Sequence, residues 1–229
     1  RILATARRAG IGLIDTAVAY GDSEDRLGKA GVAEFNVVSK LPALTHDAAM
    51  ITDTVRASLA RLRKPDLYGL LLHRSSDLLG NKGQEVFASL CALKHEGLVK
   101  KIGVSIYDPE ELEPLIERYE IDLVQSPYNV LDRRIETSGW LARLKERGIE
   151  VHARSVFLQG LLLMPKARRP ARFAQWAPQL EAWDHWLAET GQPPLAGALS
   201  FVIAESMIDR VVIGIDSEPH LQEIIDVCR

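Results

Sequence analysis

Short, nearly continuous apolar runs recur along the chain, each followed by a longer stretch in which apolar residues fall at helical spacing. The runs at 11–15 (IGLID), 35–41 (FNVVSKL), 67–73 (LYGLLLH), 99–106 (VKKIGVSI), 122–126 (DLVQS), 149–156 (IEVHARSV) and 210–215 (RVVIGI) are read as strands. A strand that is apolar on both of its alternating faces is buried on both, which is the mark of a parallel sheet covered by helices. Between the strands the spacing predicts helices. The first spans 1–10 with Gly10 as its C-terminal cap, and the second spans 23–31 with Ser23 as its cap and acidic residues in its first turn. A third covers 45–64, opening on Thr45 with Ala49, Val55, Leu59 and Leu62 as its apolar stripe. Others are expected over 84–97, 109–120, 138–148, about 178–190, 193–205 and 217–228, with a loose Pro- and Arg-rich segment near 165–178.

Strand and helix alternate throughout with no break in composition, which predicts one α/β domain over 1–229. An open doubly wound sheet is an alternative, but no strand is followed by the G-x-G-x-x-G fingerprint such folds often use for dinucleotides. Asp15, Lys40, His73, Ser105 and Gln125 each close a different apolar run. Barrel enzymes assemble their sites in this way, from the ends of several strands at one face, so a (β/α)8 TIM barrel is favoured. Seven strands are counted where such a barrel has eight. The chain opens at Arg1 inside a helix, so the first strand is expected to be absent from an N-terminally incomplete domain.

Composition narrows the class without naming it. The 229 residues are 47% hydrophobic and 26% charged, and the net charge of −3 leaves no basic excess for nucleic acid. Cys91 and Cys228 match no metal or redox spacing, which suits a reducing cytoplasm and no metal site. No apolar run reaches the ~18 residues of a membrane span, so no membrane partner is expected.

Taken singly, each candidate residue has an ordinary explanation. Asp15 can cap a turn, Tyr20 can be a packed aromatic, Lys40 can reach to the surface, and His73 can be a satisfied core histidine. Together they make a proton-transfer set. A phenol with a pKa of roughly 10 is a poor acid near neutral pH. A neighbouring ammonium favours the phenolate, a carboxylate can hold that ammonium, and an imidazole can bond the substrate oxygen. These groups suffice to protonate a carbonyl oxygen while its carbon is reduced.

The blocks LIDTAVAYGDSEDRLG, VVSKLP and LLLH resemble the catalytic blocks of the aldo-keto reductase family, in the same order. IGVSIYDPEEL, DLVQSPYNVLDRR and VVIGIDSEPHLQE resemble three further blocks of that family, so the likeness covers nearly the whole chain. The resemblance implies a nicotinamide cofactor and a small aldehyde or ketone substrate. It makes Tyr20 the general acid, Lys40 the partner that lowers its pKa, Asp15 the partner of Lys40, and His73 the residue that orients substrate or relays the proton. Ser105 and Gln125 match positions that bind the carboxamide. Arg154 stands where an aromatic often stacks on the nicotinamide, and Ser155, Leu158 and Gly160 fall near the pyrophosphate. Gly214, Ser217 and His220 match the adenosine end, where basic residues are common in the family and missing here. NADPH is expected from family habit, with NADH possible; oligomeric state is not readable. The alternative to an enzyme is a non-catalytic nucleotide-binding or regulatory barrel that keeps the four residues.

Overall fold

The computed structural model describes residues 1–43 and 50–228, so Thr45 and Ala49 of the expected third helix lie outside the described residues. Its strands are β1 (Leu13–Asp15), β2 (Asn36–Leu41), β3 (Leu67–Leu72), β4 (Val99–Ser105), β5 (Leu123–Pro127), β6 (Glu150–Arg154) and β7 (Arg210–Val211). All pairings are parallel, and the order across the curled sheet is the order along the chain. The helices are α1 (Ile2–Arg8), α2 (Ser23–Ala30), α3 (Met50–Leu62), α4 (Ser76–Leu79), α5 (Gly83–His95), α6 (Leu112–Ile116), α7 (Arg134–Thr137), α8 (Trp140–Glu146), α9 (Ala177–Thr190), α10 (Pro194–Ile203) and α11 (Glu218–Val227). This is the strand–helix alternation of a (β/α)8 barrel, with seven strands in the sheet.

Burial on both faces is what keeps the strands parallel and apolar. From Val37 onward β2 is buried at every position, Ser39 and Lys40 included. One face supplies a small interior cluster of Val38, Leu71 and Leu123, with Leu13 and Tyr68 against it. The other packs on the helices in the main core, which runs from Val37 and Leu70 to Leu199 and Ile225. The two ends of the chain meet through helices: the Thr5 hydroxyl of α1 donates to the Glu218 carboxylate of α11 at 2.8 Å.

Several elements depart from the pattern. Asp22, not Ser23, takes the cap position of α2, and the Ser23 hydroxyl lies 3.1 Å from that of Thr16 instead. The expected helix 109–120 is a 3-10 turn at Pro109–Glu111 followed by the short α6, opened by a capping box between Asp108 and Glu111. The expected helix 138–148 is α8, which begins after Gly139 at φ 79°, and the short α7, which was not expected, precedes it. β7 is only Arg210–Val211, because it is paired on its β6 side alone; Ile213 and Ile215 pack on the core from irregular backbone. The loose segment near 165–178 forms 3-10 turns tied down by Lys166–Glu181 and Arg169–Asp184 pairs.

At the N-terminal end of the sheet, Glu150 is a buried carboxylate with three donors. Tyr68 donates at 2.7 Å, His152 Nε2 lies at 2.7 Å, and Lys101 is in ion-pair contact. Burial pushes the Glu150 pKa up, but the bonds from His152, Lys101 and Tyr68 outweigh it and bring it down to about 2, from 4.5. A depressed carboxyl stabilises the fold above its unfolded pKa and stops doing so as pH falls through its folded one. The contribution, ~3 kcal/mol for such a shift, is therefore expected to vanish between about pH 5 and pH 2. Urea unfolding of wild type and Glu150→Gln across that window measures it. Equal pH slopes in the two proteins would refute the assignment.

Candidate active site

The C-terminal ends of β1, β2 and β3 bring Asp15, Lys40 and His73 together, as the strand ends predicted. The loop after β1 continues the ladder along β2: Thr16 N–H donates to Val38 at 2.9 Å and Val18 N–H to the Lys40 carbonyl at 3.0 Å. A turn closed by Tyr20 N–H on the Ala17 carbonyl, with Gly21 at φ 58°, then delivers Tyr20 beside Lys40. Tyr20 is 48% exposed, so its hydroxyl is open to a ligand.

Lys40 is almost fully buried and in ion-pair contact with Asp15 Oδ1, and it also donates to the Thr16 carbonyl at 3.1 Å. The other oxygen of Asp15 accepts from Gln125 Nε2 of β5 at 2.8 Å. Lys40 Nζ faces the ring of Tyr20, 5.5 Å from its centroid, and the His73 ring meets Tyr20 edge-on at 6.1 Å. Burial lowers the Lys40 pKa although Asp15 opposes the shift. Burial also lowers that of His73, followed by the charges of Lys40 and Arg154, so its imidazole is neutral at pH 7.

Tyr20 differs from expectation. Its pKa is raised, by burial first and by Asp15 second, and the cation acting against the rise is Arg154. With Asp15 bonded directly to it, Lys40 presents a neutralised pair to the phenol.

Ser105, the last residue of β4, and Gln125, in the middle of β5, are buried and are register partners. Ile106 is fully buried and its carbonyl accepts from Arg154 Nη2 at 2.8 Å. Arg154, the last residue of β6, also donates to the Ser155 hydroxyl at 3.1 Å and lies 4.5 Å over the ring of Tyr107. Its Nε is shut away from solvent with no partner. The following loop carries a run of left-handed backbone, with Ser155 at φ 59°, Leu158 at 46°, Gln159 at 55° and Gly160 at 87°. Non-glycine residues held there cost about 1–2 kcal/mol each, strain that collects at ligand sites. Gly214 and His220 are exposed, and Ser217 caps α11 by accepting from the His220 N–H at 3.3 Å. Sequence reasoning missed Tyr107, although an aromatic two positions past Ser105 at a strand end was a signal for it.

A groove of about 540 Å³ between α9 and α10, lined by Trp183, Trp186 and Phe201, stands apart from this cluster and holds no acid, base or nucleophile of note. No group of His, Cys, Asp and Glu among the described residues forms a metal site, and no described helix is long and apolar enough to cross a membrane.

The model of the Aldo/keto reductase family matches residues 1–229. Over 182 residues the chain is 30% identical to the NADH-specific methylglyoxal reductase of Escherichia coli, covering 69% of this chain and 56% of that protein. It is 32% identical over 115 residues to 2,5-diketo-D-gluconic acid reductase B of a Corynebacterium species, covering 48% and 41%. The chain thus spans about half the length of the curated relatives it matches. An aldo-keto reductase of Bacillus halodurans in its holo form superposes with a TM-score of 0.82 at 22% identity, over 100% of this chain and 80% of that one, a likeness of fold.

Proposed function

The chain belongs to the aldo/keto reductase family, and from that premise we propose that it reduces a small aldehyde or ketone to the alcohol, reversibly, with a nicotinamide cofactor. The observation that carries this reading is the buried Lys40–Asp15 pair set beside an open Tyr20 hydroxyl and a neutral His73. When bound, the reduced cofactor supplies the hydride.

The protein's own residues handle the oxygen. Neutral His73 donates a hydrogen bond to the carbonyl oxygen and turns the carbon toward the β4–β6 ends of the sheet. Tyr20, its pKa raised, stays protonated in the resting site and gives up its proton only as the oxygen becomes a strong base. The phenolate left behind is met by the positive charge of Arg154, while Lys40, paired with Asp15, stands against its ring. Asp15 and the Thr16 carbonyl keep Lys40 from swinging onto the substrate.

The residues present fit a nicotinamide nucleotide. Among the described residues the Ser105 hydroxyl has no partner within the chain, and Gln125, its nitrogen engaged by Asp15, keeps its carbonyl oxygen for a carboxamide N–H. Arg154 flanks the same strand ends, and the strained turn with Ser155, Leu158 and Gly160 would take the diphosphate. Gly214, Ser217 and His220 would border the adenosine. From 211 to 228 there is no Lys or Arg, while Asp216 and Glu218 flank Ser217. Such charges suit a 2′-hydroxyl better than a 2′-phosphate, and one relative is named as NADH-specific. NADH is therefore proposed over the NADPH of family habit.

Fluorescence titration of the protein with NADH and NADPH, followed by nucleotide consumption with a panel of aldehydes and ketones, tests both parts. NADH is expected to bind at least as tightly as NADPH, with turnover on part of the panel. NADPH binding tenfold tighter would remove the NADH assignment. Binding of neither nucleotide would remove the reductase reading itself.

A further inference from the structure

Burying a cation without a counter-charge is expensive, so a half-buried guanidinium normally has a carboxylate partner. Among the described residues most such cations follow that rule, Lys40 with Asp15, Arg61 with Glu24, Lys101 with Glu150 and Arg169 with Asp184, while the Lys64 ammonium is met by the Ala33 and Phe35 carbonyls at 2.9 and 2.8 Å. Arg154 does not. Among the described residues its partners are the Ile106 carbonyl, the Ser155 hydroxyl and the face of Tyr107, and its Nε–H is enclosed with nothing to bond. The nearby carboxylates are taken. Asp15 is held by Lys40 and Gln125, and Asp132 is held by both nitrogens of the Arg134 fork. With His73 neutral, Asp15, Lys40 and Arg154 leave the mouth of the site with one uncompensated positive charge.

Resting on the reductase reading above, we infer that Arg154 is a specificity residue that receives a carboxylate of the substrate, making short oxo acids the preferred class. The carbonyl lies at Tyr20 and His73, and the acid group gives the guanidinium the carboxylate that its present partners do not supply. A guanidinium fork matches a carboxylate with paired N–H bonds, which a point charge cannot do. The influence of Arg154 on Tyr20, Lys40 and His73 agrees with a reach across the mouth to the reacting oxygen.

The test compares kcat/KM for short 2-oxo acids with that for their methyl esters, in wild type, Arg154→Gln and Arg154→Lys. Nucleotide Kd is measured in parallel, and circular dichroism checks that each variant folds. Wild type is expected to favour the acid by roughly ten- to a hundredfold, the worth of a charged hydrogen-bonded contact. Arg154→Gln should bring the ratio near one, and Arg154→Lys should restore part of it. Acetate, unreactive itself, should compete with the carbonyl substrate in wild type only, a measurement that survives if the Gln variant fails to fold. A wild type that turns over esters as well as acids overturns the inference and leaves the reductase reading standing. An unchanged ratio in Arg154→Gln with weakened nucleotide binding assigns the guanidinium to the cofactor's phosphates and also overturns it. Loss of nucleotide binding in wild type overturns the reductase reading and this inference with it.

Discussion

Replacing Tyr20 with Phe is expected to slow carbonyl reduction by roughly 10²–10⁴-fold, the usual worth of a positioned general acid. The change removes one hydroxyl and little else. That hydroxyl makes no hydrogen bond within the described protein, and the ring keeps its edge contact with His73 and its place over Lys40. Thermal stability and NADH affinity should therefore match wild type, and the loss should appear in single-turnover rates of NADH consumption. Wild-type reduction should also be flat through neutral pH and decline only in the alkaline range. The acid must be protonated, and burial and Asp15 raise the Tyr20 pKa above its ordinary value of 10. A Phe variant that kept a third or more of the rate would show that the proton comes from elsewhere, with His73 the next group to test.

The largest effect on stability is expected from Gly28→Ala, at the seam between α2 and α3. A Cβ at Gly28 would lie 2.0 Å from the Arg61 carbonyl oxygen and 3.0 Å from the Leu62 carbonyl carbon. Both obstacles are backbone, so no side-chain rotation relieves the clash. Helices forced apart here also loosen Glu24, one turn earlier on α2, which accepts from Ser39 at 2.7 Å, Ser58 at 2.6 Å, and Arg61 at 2.9 Å and 2.6 Å. Overpacking costs 1–3 kcal/mol and occasionally more; with a buried ion pair disturbed, a loss of at least about 3 kcal/mol is expected. Urea denaturation measures it. A loss below ~1 kcal/mol would mean that the two helices are not held at this distance.

The parallel α/β architecture and the identity of Asp15, Lys40 and His73 as strand-end residues were legible because both are local. A buried strand shows as an apolar run, and the polar residue that closes it is conspicuous. What was not legible depends on neighbours distant in sequence. Nothing near Glu24 announces that Ser39, Ser58 and Arg61 will converge on it. Tyr107 and Arg154 are 47 positions apart and become a pair only because β4 and β6 end at the same rim. The relation of Lys40 to Tyr20 could be named from residue types, yet its geometry, ring face toward ammonium, depends on the turn after β1. β7 and α7 were misjudged for another reason. Apolar content foretold burial at Ile213 and Ile215 but not strand pairing, and α7, four residues with Ile135 alone buried, is too short to show a period.

Sheet order identical to chain order has a kinetic consequence. Each strand docks on the one made just before it, across a single helical crossover, so no pairing waits for remote parts of the chain to find each other. Loop-closure entropy rises with the length enclosed, and slow folders are those whose contacts are mostly remote. Here the sheet can grow stepwise from any adjacent pair, the longest step being β6 to β7 past α9 and α10. The contact of the first helix with the last, with Thr5 of α1 on Glu218 of α11, is then the closing event of assembly and not its nucleus.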